Sequence, residues 1–157
     1  MYAIESAVMD EIDRRIIAEL VADGRLSATE LSDRVALSLS ATAQRLRRLV
    51  DSGTITRFTV ELDPVRVGRP IDALVEIRLP SDRPFSDLDT EVLGLPEVVD
   101  AVHLTGRFDY QLRLRCRTID DLDGILREFK ERLSVEETST RIVLSTVTGM
   151  PRQPTPA

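Results

Sequence analysis

Apolar residues recur at helical spacing through the first third of the chain and then switch to alternation. Met9, Ile12, Ile16, Ile17 and Leu20 return every three or four residues, which predicts a first helix from about Asp10 to Ala22, stopped by Asp23-Gly24. Ser27-Ala28-Thr29-Glu30 has the capping-box pattern, in which the Ser27 hydroxyl and the Glu30 carboxylate satisfy free backbone N–H groups. A short helix follows, turning Leu31 and Val35 inward. Ala36-Leu37-Ser38 then reads as a turn, with Ser38 as N-cap of a third helix. Leu39, Thr42, Leu46, Leu49 and Val50 are its expected inner stripe, and Gly53 its end. Two helices joined by a tight turn, the second rich in arginine, form the helix-turn-helix layout.

Ile55 to Leu62 alternates and predicts a strand, either a wing or a hinge. Asp63-Pro64 and Gly68-Arg69-Pro70 interrupt the chain, and the domain boundary is expected between them. Beyond it, Ile71 to Leu79 alternates as a strand. Phe85, Leu88, Val92 and Leu95 fit a helix, and Val98 to Thr105 a second strand. Phe108 to Cys116 is the clearest strand, because every second residue is apolar. Leu122, Ile125, Leu126, Phe129 and Leu133 mark a helix capped by Thr118, and Glu137 to Val147 a last strand. Strand, helix, strand, strand, helix, strand is the ferredoxin-like βαββαβ order. The expected class is therefore α+β. Residues 1–54 are expected to form the helix-turn-helix domain, 55–70 a hinge strand and linker, 71–150 the βαββαβ domain, and 151–157 a frayed tail.

Composition sharpens this outline. The chain has 157 residues, 42% hydrophobic and 31% charged, with no Trp, so aliphatic side chains must build the cores. No apolar run nears the roughly 18 residues that span a bilayer. Met1 to Val8 lacks the regions of a signal peptide. With Cys116 as the only cysteine, no intrachain disulfide can form, and a reducing cytoplasm is the expected location. The net charge of −6 argues against indiscriminate nucleic-acid binding. Its distribution argues for a focused site: residues 1–33 carry −5, residues 34–57 carry +4, and residues 58–157 carry −5.

That basic island falls on the third helix, where Ser40, Ala41, Gln44, Arg45, Arg47 and Arg48 lie off the apolar stripe. In a helix-turn-helix the N-terminus of this helix enters the major groove, so early residues meet base edges and later arginines meet phosphates. Gln44 has the geometry for adenine and Arg45 for guanine. Ser38 and Ser40, with nearby backbone N–H groups, suit a phosphate at the helix start. The plainer alternative is a solvated charged face. Elsewhere, Arg113, Arg115 and Arg117 share a strand face that Glu76 and Arg78 are expected to join. Either it is a ladder of exposed ion pairs or it meets a partner subunit, in which case Arg115→Glu weakens dimerisation. His103 and Cys116 read as structural. No catalytic triad spacing, phosphate loop or zinc pattern is present, so catalysis, metal and cofactor are not expected. A protein-interaction adaptor without DNA is the competing class, and an enzyme with a regulatory attachment a more distant third.

The chain resembles the Lrp/AsnC, or feast/famine, family of transcriptional regulators. The residues that carry the resemblance are Asp10-x-x-Asp13-x-x-Ile16-Ile17-x-x-Leu20-x-x-Asp23-Gly24-Arg25, Ala36-Leu37-Ser38, Arg45-Leu46-Arg47-Arg48-Leu49, Asp63-Pro64-x-x-x-Gly68 and Thr105-Gly106-Arg107-Phe108-Asp109-Tyr110. Leu39, Gln44 and Arg107 depart from the family's frequent proline, arginine and acid. The resemblance implies binding to double-stranded DNA, sheet-paired dimers and higher even-numbered assemblies. It also implies an amino-acid effector near the glycine turn. Thr105, Gly106, Arg107, Phe108 and Asp109 are the residues so implicated, with Ser139, Thr140 and Arg141 on the last strand. Glycine there admits a carboxylate close to backbone N–H groups, Arg107 can pair with it, and Asp109 can pair with an amine. By spacing alone the same segment is a tight turn between strands.

Overall fold

The computed structural model describes residues 9–81, 89–92 and 94–146. The chain divides into two compact units that part between Glu61 and Leu62.

The N-terminal unit holds α1 (Glu11–Ala22), α2 (Ala28–Val35) and α3 (Leu39–Asp51). Each helix starts where its sequence provides a cap. Ser27 and Glu30 close the expected capping box on α2, and Ser38 caps α3 by accepting from the Ala41 N–H. Asp10 and Asp13 close a further capping box on α1, which the hydrophobic pattern alone did not indicate. Ala36 ends α2 in the left-handed region at φ 55°, a conformation that glycine usually supplies. Ile16, Leu31, Val35 and Leu49 form the buried core, with Ile12, Leu20, Leu37, Leu46 and Ile55 packed around them.

Two of the expected inner positions of α3 are corrected. Leu39 and Val50 are exposed. Val50 follows buried Leu49 and is rotated about 100° off the stripe. Leu39 opens the helix, where its Cβ leans past the packed turns. The strand expected over Ile55 to Leu62 is also absent, since residues 55–62 carry no regular structure. Alternation supplies a face to a strand but no hydrogen-bonding partner. Ile55 is held back to the helices, its N–H donating to the Leu49 carbonyl.

The C-terminal unit is a four-stranded antiparallel sheet of β1 (Ile71–Arg78), β2 (Val98–His103), β3 (Tyr110–Cys116) and β4 (Glu137–Ile142). Spatial order is β2-β3-β1-β4, which puts the first and third strands at the centre as the βαββαβ topology requires. Helix α4 (Ile119–Glu131) packs one face through Leu122, Ile125 and Phe129. The strands β2 and β4 end earlier than alternation suggested, at His103 and Ile142. Of the helix expected from Phe85 to Leu95, residues 89–92 are helical and Val92 is buried; the start of that segment and the tail from Pro151 lie outside the described residues. Ala73, Val75, Ile77, Leu112, Leu114 and Phe129 are wholly buried, so α4 and the inward strand faces make one continuous core.

Candidate nucleic-acid interface and ligand turn

On α3, Ser38, Ser40, Gln44, Arg47 and Arg48 are exposed, while Ala41 and Arg45 are half-buried. The Ser38 Oγ serves the helix start, 3.2 Å from the Ala41 nitrogen and 3.2 Å from the Ser40 Oγ. A shallow concavity along the helix is lined by Ala41, Gln44, Arg45, Arg47, Arg48 and Asp51. The arginines differ sharply in their surroundings. Arg47 makes no ion pair among the described residues. Arg45 is engaged from beneath, its Nη1 lying 2.6 Å from Asp10 Oδ2 and 2.9 Å from Asp13 Oδ1. Arg48 reaches the same acid, with Nη2 2.5 Å from Asp13 Oδ2, yet its side chain stays 59% exposed. Asp13 itself is buried. The Asp13 N–H and the Arg45 guanidinium hold the Asp10 carboxyl below the usual carboxylate range, and hydrogen bonds to the Asp10 and Asp13 carboxylates raise Arg45. The sequence placed all three arginines together on an outward face. The fold anchors two of them to α1.

In the C-terminal unit the turn between β2 and β3 is closed by the Leu104 N–H donating to the Asp109 carbonyl at 2.8 Å. Gly106 takes φ 115°, where a side chain is strained although nothing crowds a Cβ. Thr105 and Arg107 are exposed, and Phe108 is half-buried with the Arg107 guanidinium 5.3 Å above its ring. Neither charge at the turn is idle. Arg107 pairs closely with Glu137 at the start of β4. Asp109, expected to face an amine, accepts from the Leu79 N–H at 2.7 Å and so holds the turn against the end of β1.

The β4 candidates separate. Ser139 lies opposite Glu76, and Arg141 pairs with Glu76 at 2.6 Å, so both occupy the sheet face away from α4. Thr140, opposite buried Val75, points the other way. Glu137 is the residue that joins the turn to β4, and no local pattern singled it out. On the same open face, Arg113 and Arg115 converge on Asp72, at 2.7 and 3.1 Å, rather than on Glu76. The side-chain bond to Asp72 raises Arg113 above its ordinary value. Arg117 leaves this ladder and pairs with Asp121 at the start of α4. His103 and the Tyr110 hydroxyl meet the Asp89 carboxylate at 3.2 and 2.8 Å, and burial pushes the Tyr110 hydroxyl pKa up. Burial likewise raises the Cys116 thiol.

Two family profiles divide the chain where its two units lie. A winged helix-turn-helix DNA-binding profile matches residues 9–56, and the Lrp/AsnC ligand binding domain matches residues 72–152. The chain belongs to the Lrp/AsnC family. Among its relatives is the leucine-responsive regulatory protein of Escherichia coli (strain K12), 37% identical over 88% of this chain and 87% of that protein. The HTH-type transcriptional regulator FL11 of Pyrococcus horikoshii is 31% identical over 88% of this chain and 91% of its own length. Among solved structures, a feast or famine regulatory protein from M. tuberculosis complexed with L-methionine superposes with a TM-score of 0.87, at 31% identity, covering 94% of this chain and 99% of that one. This Lrp/AsnC protein is thus a DNA-binding transcriptional regulator with a ligand-binding domain. No helix among the described residues is long and apolar enough to cross a membrane.

Proposed function

We propose that this regulator reads double-stranded DNA through α3 and that a free amino acid, bound beside the Gly106 turn, biases its affinity or its assembly. Ser38, Ser40, Ala41 and Gln44 at the start of the helix meet base edges and the first phosphate, and Arg45, Arg47 and Arg48 complete the contact. The carrying observation is that a Ser-capped helix in an acidic chain presents exposed Gln44, Arg47 and Arg48 on one side. A two-fold dimer, or a larger even-numbered ring, sets two such helices on half-sites a whole number of duplex turns apart. The cytoplasm suits its buried single thiol, Cys116.

The ligand reading is supported by the glycine turn with Thr105, Arg107 and Phe108 at its tip, and by the pairing of Arg107 with Glu137, which shares one face of β4 with Ser139 and Arg141. The M. tuberculosis relative is described with L-methionine, as is a regulator from Neisseria meningitidis 28% identical to this chain, so methionine is the first probe. Its carboxylate would take Arg107 in competition with Glu137. An effector moves the equilibrium only by its differential affinity for the two states.

The test is titration of a duplex carrying the chain's own upstream region across a range of salt, with and without L-methionine and other amino acids. Affinity should fall with a log–log slope near −0.9 per phosphate contacted. A flat salt response removes the DNA reading. An affinity and a particle mass that ignore every amino acid remove the effector reading alone.

A further inference from the structure

We infer that Asp13 is a positioning residue for DNA reading: a buried carboxylate on α1 that sets the two anchored arginines of α3 before DNA arrives. The inference rests on the α3 contact proposed above and assigns a role to a residue that faces no solvent.

Asp13 lies in the first turn of α1 with its side chain 2% exposed, and both of its oxygens are occupied from another helix. Oδ1 takes Arg45 and Oδ2 takes Arg48, three positions later and so on the adjacent turn. One rigid carboxylate therefore fixes the spacing of two guanidinium groups. Asp10 adds a second hold on Arg45, through the same Nη1. Asp13 is itself fixed, because its backbone N–H donates to Asp10 Oδ1 at 2.8 Å in the capping box. A free arginine surrenders rotamer freedom when it binds, whereas these two have surrendered it on folding. Among the described residues only Nη2 of Arg48 is engaged, which leaves the rest of its donor fork available on an exposed side chain. Arg47, with no such anchor, is the adaptable phosphate contact.

The arrangement has an electrostatic cost. Two acids beneath the interface lower its attraction for any duplex, because phosphate binding gains from net positive charge. A positioning role and a mere charge role consequently predict opposite behaviour. Asp13→Asn removes the charge, keeps the shape, and still offers one oxygen. If Asp13 positions the arginines, affinity for non-specific DNA stays level or rises while the preference for the specific site falls. If it only subtracts charge, specific and non-specific affinity rise together.

The experiment enriches duplexes from a random library with the wild-type chain, then measures binding of the winner and of a scrambled duplex to wild type, Asp13→Asn and Asp10→Asn. Thermal melting confirms that each variant is folded. The expected result is a drop of about tenfold in the specific-to-scrambled ratio for Asp13→Asn, the scale of one base-reading contact, and a smaller drop for Asp10→Asn. An unchanged ratio in a folded Asp13→Asn overturns the inference. Should that variant not fold, the exposed Asp10→Asn decides, and an unchanged ratio there overturns it equally. A wild-type chain that enriches no duplex removes the DNA reading and the role of Asp13 with it. Enrichment by wild type with an unaltered ratio in the variants removes only the latter.

Discussion

The two units of this chain solve the same packing problem with different means. Among the described residues the N-terminal unit buries four apolar side chains in its core, and the C-terminal unit fourteen. The small unit is correspondingly dependent on polar fastening: two capping boxes, a capping serine, and the Asp10–Asp13–Arg45–Arg48 cluster. In the larger unit, pairs such as Arg113–Asp72 and Arg141–Glu76 lie on the open sheet face, where they link strands that the core already holds. A small core leaves α3 free to spend its outer face on a ligand, and the fasteners substitute for the missing hydrophobic area.

The sharpest way to break the contrast is a large-to-small change in each core. Phe129→Ala should cost the C-terminal unit about 3–5 kcal/mol and Ile16→Ala the N-terminal unit about 2–5 kcal/mol. Hydrogen exchange should show Ile16→Ala opening the helices while the sheet keeps its protection, the smaller unit having less to lose. Equal loss of protection in both units would contradict separate cores. Next in size, Tyr110→Phe removes the hydroxyl that donates to Asp89 and should destabilise the sheet unit by about 1.5–3 kcal/mol, read by chemical denaturation.

The same tyrosine gives the units opposite pH limits. Its folded pKa is raised above 10.0, so the neutral hydroxyl's contribution is complete below that value and is lost as pH rises beyond it. Asp10, Asp23 and Glu30 are held below their ordinary values of 3.8, 3.8 and 4.5 by backbone and side-chain hydrogen bonds. Their contribution is complete above those values and disappears as pH falls through the depressed ones. Acid should loosen the helical unit first, since the sheet unit has only Asp121 so depressed among the described residues, and alkali the sheet unit, with Tyr110→Phe weakening an alkaline step that the raised Cys116 thiol shares. NMR resonances followed from about pH 3 to about pH 11 would check the order. The smallest effect is a gain: Ala36→Gly relieves the left-handed turn and should raise the melting stability of the helical unit by roughly 0.5–1 kcal/mol.

The open sheet face also refines one experiment. Arg115→Glu would set a carboxylate beside Asp72, 3.1 Å from the present guanidinium, and so strain the subunit itself. Arg141→Ala, at an exposed pair with Glu76, is the cleaner probe of dimerisation by light scattering.

Caps, turns and strand faces were legible along the chain because each depends on neighbours within about four residues. Ser27, Ser38 and Thr118 stand where helices begin, and alternation from Tyr110 to Cys116 gave the buried face correctly. The basic island and the glycine turn were likewise local. Partnership was not. Arg45 and Asp13 are 32 positions apart, Arg107 and Glu137 are 30, and Arg113 and Asp72 are 41. The alternation of residues 55–62 met no strand to pair with. The amino-acid order thus determined the helices of the N-terminal unit, the strands that found partners, and where positive charge collects, but not the fate of residues 55–62 or the outward turn of Leu39 and Val50. Tertiary structure alone decided which charges are anchored and which are free, because a long side chain takes whichever opposite charge folding brings within about 3 Å.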